Sequence, residues 1–273
     1  MKATPTLTQV TRWAKDAGKM LLNMQFDELD IQYKGKADLL TKADKASESY
    51  LLGEITQHFP DHQIVAEESG WHSGNADHQW FIDPLDGTLN YSHGLRVYAV
   101  SVAYAYKGEL KLGVVYAPAL DEFFTAEAGK GAKLNGKQIH VSEVPDLIDA
   151  MLVTGFRFHD PKVSMINVEN FLQLSQLCQT VRRYGSAALD ACYVACGRFD
   201  GCWDMSSHVW DHAAGTLVAV EAGAIATPIF NQGSLILGDT DLLIANPSIH
   251  PQMRKELMRI RREEVEKSRR MFT

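Results

Sequence analysis

The hydrophobic period of the chain changes near Gln63, and no other feature constrains the fold as strongly. Before it, Leu7, Val10, Trp13, Ala14, Ala17, Met20, Leu21 and Met24 recur at helical spacing, which predicts an amphipathic helix of several turns. Ala43, Ala46, Tyr50, Leu51 and Ile55 predict a second helix, and the polar stretch Tyr33 to Asp38 between them reads as a loop or hairpin. After Gln63 the apolar runs are short: Gln63 to Ala66, Trp80 to Asp83, Arg96 to Tyr106, Leu110 to Tyr116 and Asp121 to Ala126. Lys107-Gly108 and Asn135-Gly136 suit antiparallel hairpins, so the first half is expected as helices on a mostly antiparallel sheet.

The second half alternates. Strands are expected at Met151 to Thr154, Phe199 to Asp204, near Ile225 and at Leu242 to Ala245. Helices are expected at Met165 to Leu177, Ser186 to Cys196, Asp211 to Ala222 and from about Pro251 onward. The fold class is therefore α+β in residues 1–145 and α/β in residues 146–273, two halves of one compact unit. With 273 residues there is enough chain to bury a sizeable core.

Composition narrows the function. A net charge of -7 offers no general attraction for nucleic acid or an anionic membrane, so an acidic protein that handles phosphate needs metal cations. Met1 to Gln9 lacks a basic segment followed by an apolar run, and no apolar stretch reaches the ~18 residues of a membrane span. A cytoplasmic protein is expected, with no membrane contact. Cys178, Cys192, Cys196 and Cys202 are too few and too bunched for a disulfide framework and read as reduced, packed thiols.

The chemistry sits in Trp80-Phe81-Ile82-Asp83-Pro84-Leu85-Asp86-Gly87-Thr88-Leu89-Asn90. An apolar strand runs into two carboxylates and then into a Gly-Thr that opens a helix. Such a pair at a strand end suits hard cations such as magnesium, which prefers oxygen ligands. The free N–H groups of Gly87 and Thr88 suit a phosphate. Alone, the segment is also an Asp-capped turn, Asp211 an N-cap and Glu67 a surface acid. Their joint occurrence with Ala66-Glu67-Glu68-Ser69 and Trp210-Asp211-His212-Ala213-Ala214-Gly215 favours a site. Gly-x-Ser-x-Gly and the P-loop signature are absent, and His93, His208 and His212 read as structural.

In this order, with Asp38-Leu39-Leu40-Thr41-Lys42-Ala43-Asp44 upstream and Glu221-Ala222-Gly223 downstream, these segments resemble the inositol monophosphatase family over nearly the whole chain. The resemblance implies a layered αβαβα sandwich of the inositol monophosphatase and sugar phosphatase type, commonly homodimeric. It also implies hydrolysis of a small phosphate monoester with two to three Mg²⁺ ions and inhibition by lithium. Glu67, Asp83 and the Leu85 carbonyl would hold one magnesium, and Asp83, Asp86 and Asp211 a second; a third would lean on Glu67. Gly87 and Thr88 would cradle phosphate, while Thr88, oriented by Asp44, and Glu67 would help deprotonate the attacking water. Lys36 matches a family loop near the metals.

Substrate hydroxyls would meet Asp86, Asp211, Gly185-Ser186-Ala187 and an acid seven before Asp211. That acid is usually Glu in the family and is Asp204 here, one methylene shorter; it also reads as a strand terminator. Inositol 1-phosphate or a similar polyol or sugar monophosphate comes first. Histidinol phosphate, a sugar bisphosphate or a nucleotide 3′-phosphate are alternatives on the same scaffold. A bisphosphate would need a second basic pocket, for which Arg157, Lys162, Arg182, Arg183 and Arg198 are candidates. A reading of another class is a regulatory protein associated with RNA or transcription.

Overall fold

The computed structural model describes residues 4–26, 32–35, 38–156, 161–231 and 237–271. The chain runs through α1 (Leu7–Met24), β1 (Gln32–Gly35), β2 (Asp38–Leu40), α2 (Lys42–His58), β3 (His62–Ala66), β4 (Gly70–His72) and β5 (Asn75–Asp86). It continues through α3 (Thr88–Ser92), β6 (Ala99–Tyr106), β7 (Glu109–Ala117), β8 (Glu122–Glu127), β9 (Ala132–Leu134) and β10 (Lys137–Gln138). A 3-10 turn at Leu147–Asp149 leads into β11 (Met151–Thr154), α4 (Pro161–Ser175), β12 (Thr180–Arg182), α5 (Ala187–Ala195) and β13 (Gly201–Asp204). The last elements are α6 (Val209–Glu221), β14 (Ile225–Pro228), β15 (Leu242–Ala245) and α7 (Ile249–Met271).

Eight strands form the larger sheet in the order β10-β9-β8-β7-β6-β5-β3-β4, antiparallel except where β3 lies parallel to β5. Lys107 (φ 52) with Gly108 (φ 78), and Asn135 (φ 50) with Gly136 (φ 78), take the left-handed conformations that two-residue hairpins need. The smaller sheet has the order β12-β11-β13-β15-β14, with β12, β11 and β13 parallel and β15 antiparallel to both neighbours. Two short strands, β4 and β12, had no sequence signal of their own.

Helices α1 and α2 pack on one face of the larger sheet, α5 and α6 lie between the sheets, and α4 and α7 cover the far face of the smaller one. This is the αβαβα sandwich. Strand β6 shows how side-chain size builds it. Val100, Val102 and Tyr104 point to α1 and α2, while Ala99, Ala103 and Ala105 point to the middle helices. Small residues bring the middle layer close: a Cβ on Gly113 would stand 2.8 Å from the Ala214 carbonyl oxygen, and one on Gly215 2.9 Å from that of Ala188. Residues 188–195 of α5 and 211–219 of α6 are all buried, the pattern of a helix covered on every side. The four cysteines are free thiols. Among the described residues no helix is long and apolar enough to cross a membrane.

Candidate active site

Parallel pairing of β3 with β5 sets the first two acids side by side. Ala66 is in register with Ile82, and the Glu67 N–H donates to the Ile82 carbonyl at 3.1 Å, so Glu67 leaves β3 beside Asp83. The pairing of β5 with β6 slips between Asp83 and Asp86. Pro84 stands in that bulge, where a residue without an N–H is tolerated. The acid pair thus lies within the bulged end of the strand, which runs on to Asp86, and not beyond a strand ending at Asp83. Gly87 then turns the chain with φ 92, and Thr88 opens the five-residue α3.

Asp83 is 2% exposed, and its carboxyl is held well above the usual range by burial, then by the negative charges of Glu67, Asp86 and Asp211. Its side chain also shares a hydrogen bond with that of Glu67, which requires a proton on one of them. Burial pushes Asp86 up to about 7, against the hydrogen bond from Ser186 that favours its charged form. The helix expected from Asp211 starts instead at Val209, so Asp211 lies at the third position of α6, and its Oδ2 accepts the His208 N–H at 2.7 Å. The charged neighbours that raise Asp83 are all carboxylates, so the cluster fits a cation. Among the described residues no three His, Cys, Asp or Glu side chains are placed to hold a metal ion together. An open set of oxygen donors matches magnesium, which takes one or two carboxylates and keeps waters.

Helix α2 supports this cluster from behind. Thr41 caps it: the Asp44 Oδ2 accepts from the Thr41 N–H at 2.8 Å and from its hydroxyl at 2.5 Å. Asp44 Oδ1 lies 3.1 Å from the Thr88 hydroxyl, which also lies 2.9 Å from the Leu85 carbonyl oxygen. Burial outweighs these bonds and raises the Asp44 carboxyl above its ordinary value. One turn on, the Ser47 hydroxyl donates to the Pro84 carbonyl at 2.9 Å, and Glu48 accepts the N–H groups of Glu68 and Ser69, both at 2.9 Å. Sequence reasoning missed Ser47 and Glu48. The signal was their spacing, i+3 and i+4 from Asp44 on one helix face.

The other half closes on Asp86. Its Oδ2 accepts from the Ser186 hydroxyl at 2.5 Å and the Ala188 N–H at 2.8 Å, and its Oδ1 from the Ala187 N–H at 3.3 Å. The Asn90 amide donates to the carbonyls of Val97 and Tyr184 at 2.8 and 3.0 Å, tying α3 to the segment before α5. Gly185 takes the left-handed φ of 87, where a side chain would be strained and its Cβ would stand 2.8 Å from Asn90 Nδ2. Ser186, expected to meet substrate, donates its single proton to Asp86. Ala187 and Asp204 line one small cleft with Gly155, Asp190 and His212. Asp204 ends β13 and its Oδ1 accepts the Met205 N–H at 2.9 Å.

Among the described residues the basic candidates each have their own partner. Arg198 pairs with Glu122 at 2.5 Å and stacks over Tyr193, Arg183 lies over Phe156, and Arg182 donates to the Thr180 hydroxyl. Lys36, Arg157 and the Lys162 side chain lie outside the described residues.

Comparison with known proteins identifies the family. The model of the inositol monophosphatase family matches residues 3–266. The Nus factor SuhB of Pasteurella multocida is 41% identical over 248 residues, covering 90% of this chain and 92% of that protein. The inositol monophosphatase of Anabaena (Nostoc) sp. PCC 7120 superposes with a TM-score of 0.83 at 39% identity, covering 93% of this chain and 95% of that one. The extragenic suppressor protein suhB of Bartonella henselae gives 0.87 at 34% identity, covering 92% and 97%. Family model, relatives and sandwich all say that the chain belongs to the inositol monophosphatase family, a family of phosphatase-type hydrolases.

Proposed function

We propose that the protein is a magnesium-dependent phosphomonoesterase acting on inositol 1-phosphate or a similar polyol or sugar monophosphate. The observation that carries this is the carboxylate cluster at the bulged end of β5: Asp83, buried and opposed by Glu67, Asp86 and Asp211, needs positive charge to ionise. Glu67, Asp83 and the Leu85 carbonyl would hold one ion, Asp83, Asp86 and Asp211 a second, and Glu67 would help with a third. Magnesium bound there would neutralise phosphoryl charge and bring the pKa of a water toward neutrality.

The chain's own groups do the rest. Gly87 and Thr88 offer N–H groups to the phosphate where the chain enters α3. Thr88 has one hydroxyl proton, and both of its acceptors, Asp44 and Leu85, belong to the protein. Its lone pairs are thereby left for the attacking water, whose proton Glu67 would take. Asp204 and Ala187, on the shared cleft, would meet the alcohol, together with Gly185, Ser186, Asp86 and Asp211. Residues 1–145 would carry the metal and phosphate motif, and residues 146–273 would close the site and add Asp211. A cytoplasmic homodimer sensitive to lithium completes the reading, on the strength of the family.

The second reading, a regulatory protein associated with RNA or transcription, draws on relatives named Nus factor. Phosphate release from a panel of monoesters, with magnesium and with chelator, separates the two. Magnesium-dependent turnover of inositol 1-phosphate or another polyol monophosphate is expected. Full activity in excess chelator would refute the metal mechanism, and no turnover of any monoester would favour the regulatory role.

A further inference from the structure

We propose that Glu48 is a positioning residue for the metal ions held through Glu67. The proposal rests on the metal-site reading above. Glu48 is 4% exposed on α2, and each of its two oxygens accepts one of two successive N–H groups, Glu68 and Ser69, at 2.9 Å. Those groups belong to the turn between β3 and β4, immediately after Glu67. A carboxylate is suited to this because both of its oxygens accept; an amide has only one acceptor and would turn its NH₂ toward an N–H. Glu67 is thus held from two sides. Its own N–H is bound to Ile82 at 3.1 Å, and the next two are bound to Glu48. Without the second anchor the turn pivots about the Ile82 bond, and the Glu67 carboxylate drifts from Asp83.

The partition of contacts makes the proposal specific. Ser47 holds Pro84, and Asp86 is held by Ser186, Ala187 and Ala188. Asp211 is held by the His208 N–H. None of these passes through Glu48. Loss of Glu48 therefore disturbs the ions that need Glu67 and spares the one that needs Asp86 and Asp211.

The experiment is Mn²⁺ binding to the full chain, followed by the electron paramagnetic resonance signal of free Mn²⁺, in wild type, Glu48→Gln, Glu67→Gln and the double variant. Replacing a group that orients a metal ligand commonly weakens metal affinity about 10- to 100-fold. Glu48→Gln should do this to one class of sites and leave the other as in wild type. Added to Glu67→Gln it should have no further effect on binding, since the anchored ligand is already gone. Amide exchange over residues 66–72 should also quicken in Glu48→Gln while the start of α6 stays protected. Manganese binding equal to wild type, equal weakening of both classes, or full additivity with Glu67→Gln would overturn the proposal. A wild type that binds no manganese would instead overturn the metal-site reading itself. Should Glu48→Gln not fold, Glu48→Asp, which keeps the charge but shortens the reach, should show the same one-class loss.

Discussion

Asp83 is buried among carboxylates, so its charge is unfavourable without a cation and necessary with one. Asp83→Asn should keep its fold and lose most turnover, because the candidate bridging group loses its charge; near-normal kcat in a folded variant would remove Asp83 from the site. The same substitution should stabilise the metal-free protein. A carboxyl raised above its unfolded value binds more protons when folded, so its contribution is lost as pH climbs from about 4 upward. In chelator, Asp83→Asn should therefore melt above wild type at pH 8, with the gap closing toward pH 4. Asp204 tests recognition instead. If it meets the alcohol, Asp204→Glu should raise kcat/KM for inositol 1-phosphate relative to glycerol phosphate by about tenfold, the worth of one hydrogen bond to a charged group. An equal change on both substrates would leave Asp204 as a strand end.

At the scale of elements, α2 and α3 combine support with chemistry. Thr41 caps α2 and also donates two hydrogen bonds to Asp44, which in turn faces Thr88. Thr41→Ala should cost about 1 kcal/mol through the cap alone. It should also lower kcat, because Asp44 is no longer held; denaturant unfolding and turnover read the two effects separately. Gly87 links β5 to α3 in the left-handed region, and a Cβ there would stand 2.9 Å from the Val97 carbonyl oxygen and 3.1 Å from that of Gly185. Gly87→Ala should lose about 1–3 kcal/mol from that conformation and more from the clash. A variant as stable and active as wild type would show that the turn is less confined than its neighbours indicate.

Across the whole molecule, α5 and α6 lie between the larger and the smaller sheet, and the candidate site draws on both sides of that layer. Glu67, Asp83 and Asp86 come from the larger sheet, Asp211 from α6 and Asp204 from the smaller sheet. Magnesium binding should therefore brace the sandwich. Saturation at a hundredfold over Kd adds about 2.7 kcal/mol, which for a chain of this size raises Tm by roughly 5–10 °C. The rise should be larger at pH 8 than at pH 5, since protons compete for Asp83 and for Asp86, whose carboxyl lies at about 7 without metal. Calorimetry with and without magnesium at the two pH values checks this; no shift at either would argue against a built metal site.

The sequence by itself determined the elements that carry a strong local signal. Amphipathic period placed α1 and α2, Asn135-Gly136 placed a hairpin, and the acid-Pro-Leu-acid-Gly-Thr string marked the site, because each depends on neighbours in the chain. Strands β4 and β12 were not legible, being three residues long and defined by their partners. Nor could the string show that Asp86 is held by the start of α5, or that α2 grips the turn after Glu67. Those contacts span 100 to 102 residues in one case and 20 to 21 in the other. Ionisation belongs to the same class. The string shows where Asp83 and Asp86 stand, and only their burial decides that these carboxyls need a proton or a cation.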